Sequence, residues 1–298
     1  HADGLDHTEY EQFMQKLPAT FKSKVVSSEP LAVAWLETRT AREMQYYPQV
    51  VQISKAIIAE GFSSKVITPG ITTSEDLVWW YRKKINSLGL ATWFHPSVEI
   101  QRNDQIEFDH LKAFSNKGYD PKNIIQPGDL LHVDFGITYL RLNSDIQEHA
   151  YVLKPEEKDA PEYLKNALAI GNQLQDILTN QFALNKSGNK ILSDALADAK
   201  KQGINATIYT HPIGSHGHAA GPTIGMWDQQ NGVPGSGDYP MYYNTAYSIE
   251  LNAAVEIKEW KKSIRIMLEQ DGYFDQSGFK YISGRQTKLH LVGNPSWQ

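Results

Sequence analysis

After Pro48, apolar residues return at helical spacing (Val50, Ile53, Ile57) until Gly61 interrupts them, which predicts a helix over that stretch. A second helix is predicted after the Pro69-Gly70 turn. Thr73 reads as its N-cap because Asp76 stands three residues on, Val78, Tyr81, Ile85 and Leu88 line one face, and Gly89 stops it. Pro161 opens a third helix carrying Leu164, Leu168 and Ile177, and residues 187–203 read as a fourth with Ile191, Ala195, Leu196 and Ala199 turned inward. The period shortens to two over residues 130–152, introduced by Pro127-Gly128, and again over residues 207–282. Strands, a helical pair and strands again imply an α+β fold. Residues 232–237 hold three glycines and a proline with no Lys-Ser/Thr after them, so they read as a loop and not as a phosphate cradle.

Composition narrows the partners. The 298 residues suit one large mixed domain with a substantial core. A net charge of -5 with no Lys/Arg run offers nothing to a phosphate backbone or an anionic lipid surface, so neither nucleic acid nor membrane is expected as a partner. No apolar run approaches the roughly 18 to 20 residues of a membrane span, and no stretch reads as a secretory leader, so a soluble protein is expected. The lack of cysteine removes disulfides, thiolate ligands and thiol nucleophiles, yet leaves cytoplasm, periplasm and secretion all open. Residues 1–35 mix Tyr10, Phe13, Met14, Leu17 and Phe21 with charges and start at His1, so they are expected to be a leader or the remnant of an N-terminal domain, with the catalytic domain over 36–298.

Four acids and one of three clustered histidines are the candidates for the chemistry. In Leu131-His132-Val133-Asp134-Phe135, strand alternation turns Asp134 away from Val133 and Phe135, and a hairpin brings Asp145, eleven residues later, beside it. Close carboxylates repel unless a cation or a proton is shared, which makes a divalent metal a natural occupant. His211, His216 and His218 cluster among small residues, and neutral imidazole is a common transition-metal ligand. Glu250 and Glu269 fall inside apolar strands, where a carboxylate is costly unless paired or coordinated. Four carboxylates and one imidazole suit two divalent ions sharing bridging oxygens.

The order and local sequence of these residues resemble the pita-bread metallopeptidases, the group that includes methionine aminopeptidase, aminopeptidase P and prolidase. Pro127-Gly128-Asp129-Leu130-Leu131-His132-Val133-Asp134-Phe135-Gly136 is similar to that family's first ligand strand, and Ser144-Asp145 follows at its usual spacing. Gly217-His218-Ala219-Ala220-Gly221 resembles its Gly-His-x-x-Gly turn, Tyr247-Ser248-Ile249-Glu250 its Thr-Ile-Glu strand, and residues 265–271 its final acidic strand. Over residues 36–290 the resemblance implies a pita-bread fold of antiparallel sheets flanked by helices. It implies two metal ions held by Asp134, Asp145, His218, Glu250 and Glu269, with manganese first and zinc, cobalt or iron as alternatives. It also implies a peptide substrate cut by activated water, with Glu250 relaying the proton: an Xaa-Pro aminopeptidase or Xaa-Pro dipeptidase, with a homodimer left open.

The departures are specific. Leu251-Asn252 replace a Pro-Gly pair, and the family's second histidine, seven residues after its ligand histidine, falls here on Gly225, or on Trp227-Asp228 if two residues are inserted. Polarisation of the substrate then passes to His216 or His211, and the family histidine upstream of the first aspartate corresponds to His110 or His95. Arg265 is a candidate for a substrate carboxylate or for a structural ion pair. The alternatives are an amidine or phosphoester hydrolase on the same fold, and a non-catalytic or weakly active pita-bread binding module.

Overall fold

The computed structural model describes residues 4–103 and 123–293. Helices α1 (His7–Lys16) and α2 (Ala19–Lys22) bury none of their residues, whereas α3 (Glu29–Glu37) buries Val33 and Glu37. The residues after α3 then join the body, because Thr38 bridges to Thr245 and the Arg39 amide donates to Asn244 O at 2.7 Å. Helix α3 therefore runs across the expected division between residues 35 and 36.

Helix α4 (Ala41–Gly61) begins seven residues before Pro48. Thr40 and Glu43 form a capping box that satisfies the first amides, and the helix passes through Pro48 despite the roughly 3 kcal/mol that an interior proline costs. Burial of Tyr47, Val50, Val51, Ile57 and Ile58 offsets it, at about 1.5 to 3 kcal/mol for a large apolar side chain. Helix α5 (Ser74–Ser87) starts at the expected Thr73–Asp76 box. Its buried face is Leu77, Val78, Tyr81 and Ile85, while Leu88, 51% exposed, is the C-cap and does not extend that face.

Strands β1 (Ser97–Gln101), β2 (Leu130–Phe135), β5 (Ile146–Val152) and β13 (His290–Val292) form one sheet in that order, with β13 parallel to β5 and the other pairs antiparallel. A small hairpin of β3 (Thr138–Tyr139) and β4 (Leu142–Asn143) leads from β2 to Asp145. Helices α4 and α5 cover this sheet, and Leu131, Val133, Phe135 and Ile146 complete one hydrophobic cluster with them.

A second core lies under α6 (Glu162–Thr179), which Pro161 precedes as expected, and α7 (Gly188–Lys201), whose first turn the Ser187 side chain caps. These helices pack on the antiparallel sheet formed by β10 (Lys262–Leu268), β9 (Leu251–Ile257) and β6 (Asn205–Ile208), through Leu168, Leu174, Ile191, Ile264, Ile266 and Leu268. A third sheet orders β12 (Gly278–Tyr281), β11 (Asp271–Asp275), β8 (Thr245–Ser248) and β7 (His211–Pro212). The apolar faces go to the helices, so polar faces are left where the sheets meet. Gln147 of β5 and Glu269 join the first and second sheets by backbone hydrogen bonds in both directions, at 3.0 and 3.3 Å. Among the described residues no helix is long and apolar enough to cross a membrane.

Candidate metal centre

Strand alternation brings Asp134 to the junction, and strand ends bring the other three acids. Val133 and Phe135 point into the core, so Asp134 between them points out of it, and register places Asp134 opposite Gln147. Asp145 precedes β5, Glu250 lies between β8 and β9, and Glu269 follows β10. Asp145 and Glu269 are 4% and 1% exposed.

His211, at the start of β7, supplies the imidazole seated among these acids. Its Nε2 lies 3.6 Å from Asp145 Oδ2, 3.5 Å from Glu269 Oε1 and 3.9 Å from Glu250 Oε2, while its Nδ1 lies 3.0 Å from the Pro212 carbonyl oxygen. Asp145, His211 and Glu269 offer ligand atoms all within 4.8 Å of one another. Burial alone would lower the pKa of His211, but the adjacent carboxylates of Glu269 and Glu250 raise it to about 9. Burial and then the charge of Glu269 push Asp134, Asp145 and Glu250 well above the usual carboxylate range. Oδ1 of Asp134, Oδ1 of Asp145 and Nε2 of His211 are buried without a hydrogen-bond partner. So concentrated a set of acceptors is the environment in which a cation replaces shared protons.

The remaining histidines lie elsewhere. The ring of His218 is edge-on to that of His211, with centroids 4.5 Å apart, and 5.2 Å from that of Trp93. Partial burial and the neighbouring His211 lower its pKa. His216 is exposed on the same loop, where its carbonyl accepts from the Gly214 amide at 3.0 Å. His95 is exposed against the Trp79 ring at 6.1 Å, and His110 lies outside the described residues.

Residues not singled out from the sequence support the acids. Gln147 donates to Glu250 and Glu269, Ser248 Oγ donates to Glu269 Oε1 at 2.6 Å, and the Asp145 amide donates to Asp271 Oδ2 at 3.3 Å. His132 lies 2.9 Å from Gln147 Oε1, and Glu99 faces its other nitrogen at 3.3 Å. Gln147 and His149 lie two apart on a wholly buried strand.

The sequence profile of metallopeptidase family M24 matches residues 45–269. Among solved structures, the X-Pro aminopeptidase from Thermotoga maritima MSB8 superposes with a TM-score of 0.65 at 15% identity, over 97% of this chain and 73% of that one. The Xaa-Pro dipeptidase from Bacillus anthracis gives 0.61 at 18% identity, over 97% and 72%. The methionine aminopeptidase from Rickettsia prowazekii gives 0.57 at 13%, over 84% of this chain and 100% of that one. At these identities the three share the fold with this chain. No curated protein matches it.

Proposed function

The chain belongs to metallopeptidase family M24, and from that premise we propose that it is a divalent-metal-dependent peptidase hydrolysing an N-terminal peptide bond, with Xaa-Pro peptides as its substrates. The observation that carries this reading is the burial of His211 Nε2 within 4 Å of carboxylate oxygens from Asp145, Glu250 and Glu269. The orphaned oxygens of Asp134 and Asp145 complete a donor set of carboxylates and one imidazole that fits manganese, zinc, cobalt or iron.

We assign metal binding to Asp134, Asp145, His211, Glu250 and Glu269, with two ions, manganese first. His211 takes the place that the motif resemblance gave to His218. The change also resolves the missing second histidine: His218 lies seven residues after His211, the spacing at which the resemblance places the substrate-contacting one. A divalent ion at this centre supplies Lewis-acid polarisation of the carbonyl and acidifies a water.

The protein's own groups do the rest. His218, on the rim, directs an imidazole N–H at the oxygen of the scissile carbonyl. Glu250 Oε1 is held by Gln147, so Oε2 is the atom that takes a proton from the attacking water and passes it to the leaving nitrogen. His216 and His95 are assigned no contact with the reacting atoms.

The test is a peptide panel, Xaa-Pro dipeptides, Xaa-Pro tripeptides and Met-initiated peptides, on protein whose metal content is measured by elemental analysis. Cleavage of the Xaa-Pro peptides that falls with chelation and returns with manganese is expected. Hydrolysis at the same rate by a verified metal-free form would sink the metal reading. A fully loaded protein inert on the whole panel would sink the peptidase reading.

A further inference from the structure

We propose that Gln147 is the positioning residue of this centre: its side-chain amide sets Glu250 and Glu269 in place for divalent metal, and His132 fixes which way that amide faces. The inference rests on the metal-site reading above and adds a residue type that the ligand pattern does not call for.

The backbone places Gln147 in the row of acids. It is the register partner of Asp134 on one side and of Glu269 on the other, so the three side chains emerge next to one another at the sheet junction. Its Nε2 then donates to Glu250 Oε1 at 2.6 Å and to Glu269 Oε2 at 2.8 Å. Carboxylates that bind metal are ionised and only accept, so for that state the NH2 end of the amide must face the two acids and the oxygen must face away. That oxygen meets His132 Nε2 at 2.9 Å, which requires a proton on Nε2, and His132 Nδ1 faces Glu99 Oε2 at 3.3 Å. Gln147, His132 and Glu269 are 4%, 3% and 1% exposed, so water does not compete for these bonds.

The consequence is a division of labour within each acid. Glu250 and Glu269 each give one oxygen to Gln147 and keep the other toward His211, Oε2 at 3.9 Å and Oε1 at 3.5 Å from its Nε2. A side chain with one donor could hold one acid, and a shorter amide would not span from β5 to both. Without the shared donor the two carboxylates would repel and rotate apart, and a cation would have to order them as it bound.

Manganese chloride titrated calorimetrically into metal-stripped protein tests this, with circular dichroism and the metal-free unfolding midpoint as controls. Gln147→Leu, close in size and without donors, is expected to bind manganese about 10- to 100-fold more weakly, the usual range for groups that orient a ligand. His132→Phe should give a smaller loss in the same direction, and the double variant should bind no more weakly than Gln147→Leu alone, because both act through one amide. A loss caused by general loosening would instead add. Wild-type affinity in folded Gln147→Leu, or additive losses, would overturn the proposal, and if Gln147→Leu does not fold, unchanged affinity in His132→Phe overturns it. Failure of the wild-type protein to take up manganese would overturn the metal-site reading itself, an outcome seen before any variant is compared.

Discussion

His211 Nε2 lies 3.5 Å from Glu269 Oε1 at a point where both side chains are nearly sealed from water. Neither would be stable there alone: a buried carboxylate wants a cation, and a buried imidazole left to itself sheds its proton. Against the burial that lowers it, Glu269 and Glu250 raise the pKa of the histidine to about 9, so the acids around it favour a positive charge at this position.

Histidines 211 and 218 therefore separate by experiment. His211→Ala should cost more metal affinity than the roughly 10- to 100-fold of an outer-shell change. His218→Ala should keep metal content and lose about 10²- to 10³-fold in kcat, the scale of one donor to a developing oxyanion. Elemental analysis beside steady-state kinetics on an Xaa-Pro peptide reads both. The reverse pattern, metal lost with His218 and kept without His211, would return the ligand role to His218.

Glu37, whose carboxylate lies against the Gly221 turn, gives a pH signature of its own. Its carboxylate is 2% exposed with both oxygens lacking hydrogen bonds, and burial raises its pKa from 4.5 to about 8. A raised folded-state pKa means that the native protein keeps a proton the unfolded chain has released, so stability is full below the unfolded value and falls as pH rises toward 8. The slope should be on the order of 1.4 kcal/mol per pH unit through that window. Glu37→Gln should flatten it and be the more stable protein at alkaline pH. Parallel curves for wild type and variant in urea unfolding would refute the assignment.

Periodicity made the helices and most strands legible because burial acts on one face at a time. Leu88 continued the apolar pattern of α5 yet lies at its cap, since pattern alone does not mark where the capping geometry ends a helix. Pro48 looked like a boundary because the capping box at Thr40 and Glu43 outweighs a single proline only once the packing of Tyr47 is counted. At the site, Asp134, Asp145, Glu250 and Glu269 were readable as acids in apolar strands, but the choice among His211, His216 and His218 was not. These three lie within eight residues, and the seven-residue spacing from His211 to His218 was the signal that went unused until the structure put His211 on a short strand among the acids. Gln147 and His132 were silent because a neutral amide or a lone histidine in a strand carries no charge pattern to betray its partners.

His149 should register in the acid limb. Its Nδ1 lies 3.1 Å from the Leu131 carbonyl and its Nε2 accepts the Met267 amide at 3.0 Å, so a second ring proton would point at a donor. Burial, then the charge of His132, lowers its pKa from 6.5 to about 3. With the folded value depressed, the native state resists a proton that the unfolded chain accepts, so stability is lost as pH falls below 6.5 and continues to fall toward 3. His149→Gln should cost stability at neutral pH, where the bonds it replaces are intact, and show a shallower decline on acidification. Thermal unfolding across that range checks it, and an equal decline in both proteins would count against the neutral histidine.

Gly217 lies flat against the Trp93 indole, and a Cβ at this position would overlap the ring. The indole is itself fixed, donating from Nε1 to the carbonyl of Ser144 at 3.1 Å, next to Asp145, and packing on His218 at 5.2 Å. Gly217→Ala should therefore push in two directions: against Trp93, loosening the approach to Asp145, and against its own loop, turning His218. The expected stability loss is about 1 to 3 kcal/mol, the usual cost of overpacking. The loss in kcat/KM should reach roughly 10²-fold, since a misplacement of about 1 Å can cost that much. Trp93→Ala removes the obstacle, so the double variant should lose less stability than the two single changes summed. If the losses add, the contact between Gly217 and Trp93 is not what places the histidine loop. If Gly217→Ala keeps full kcat/KM, the position of His218 on the rim does not govern the reaction.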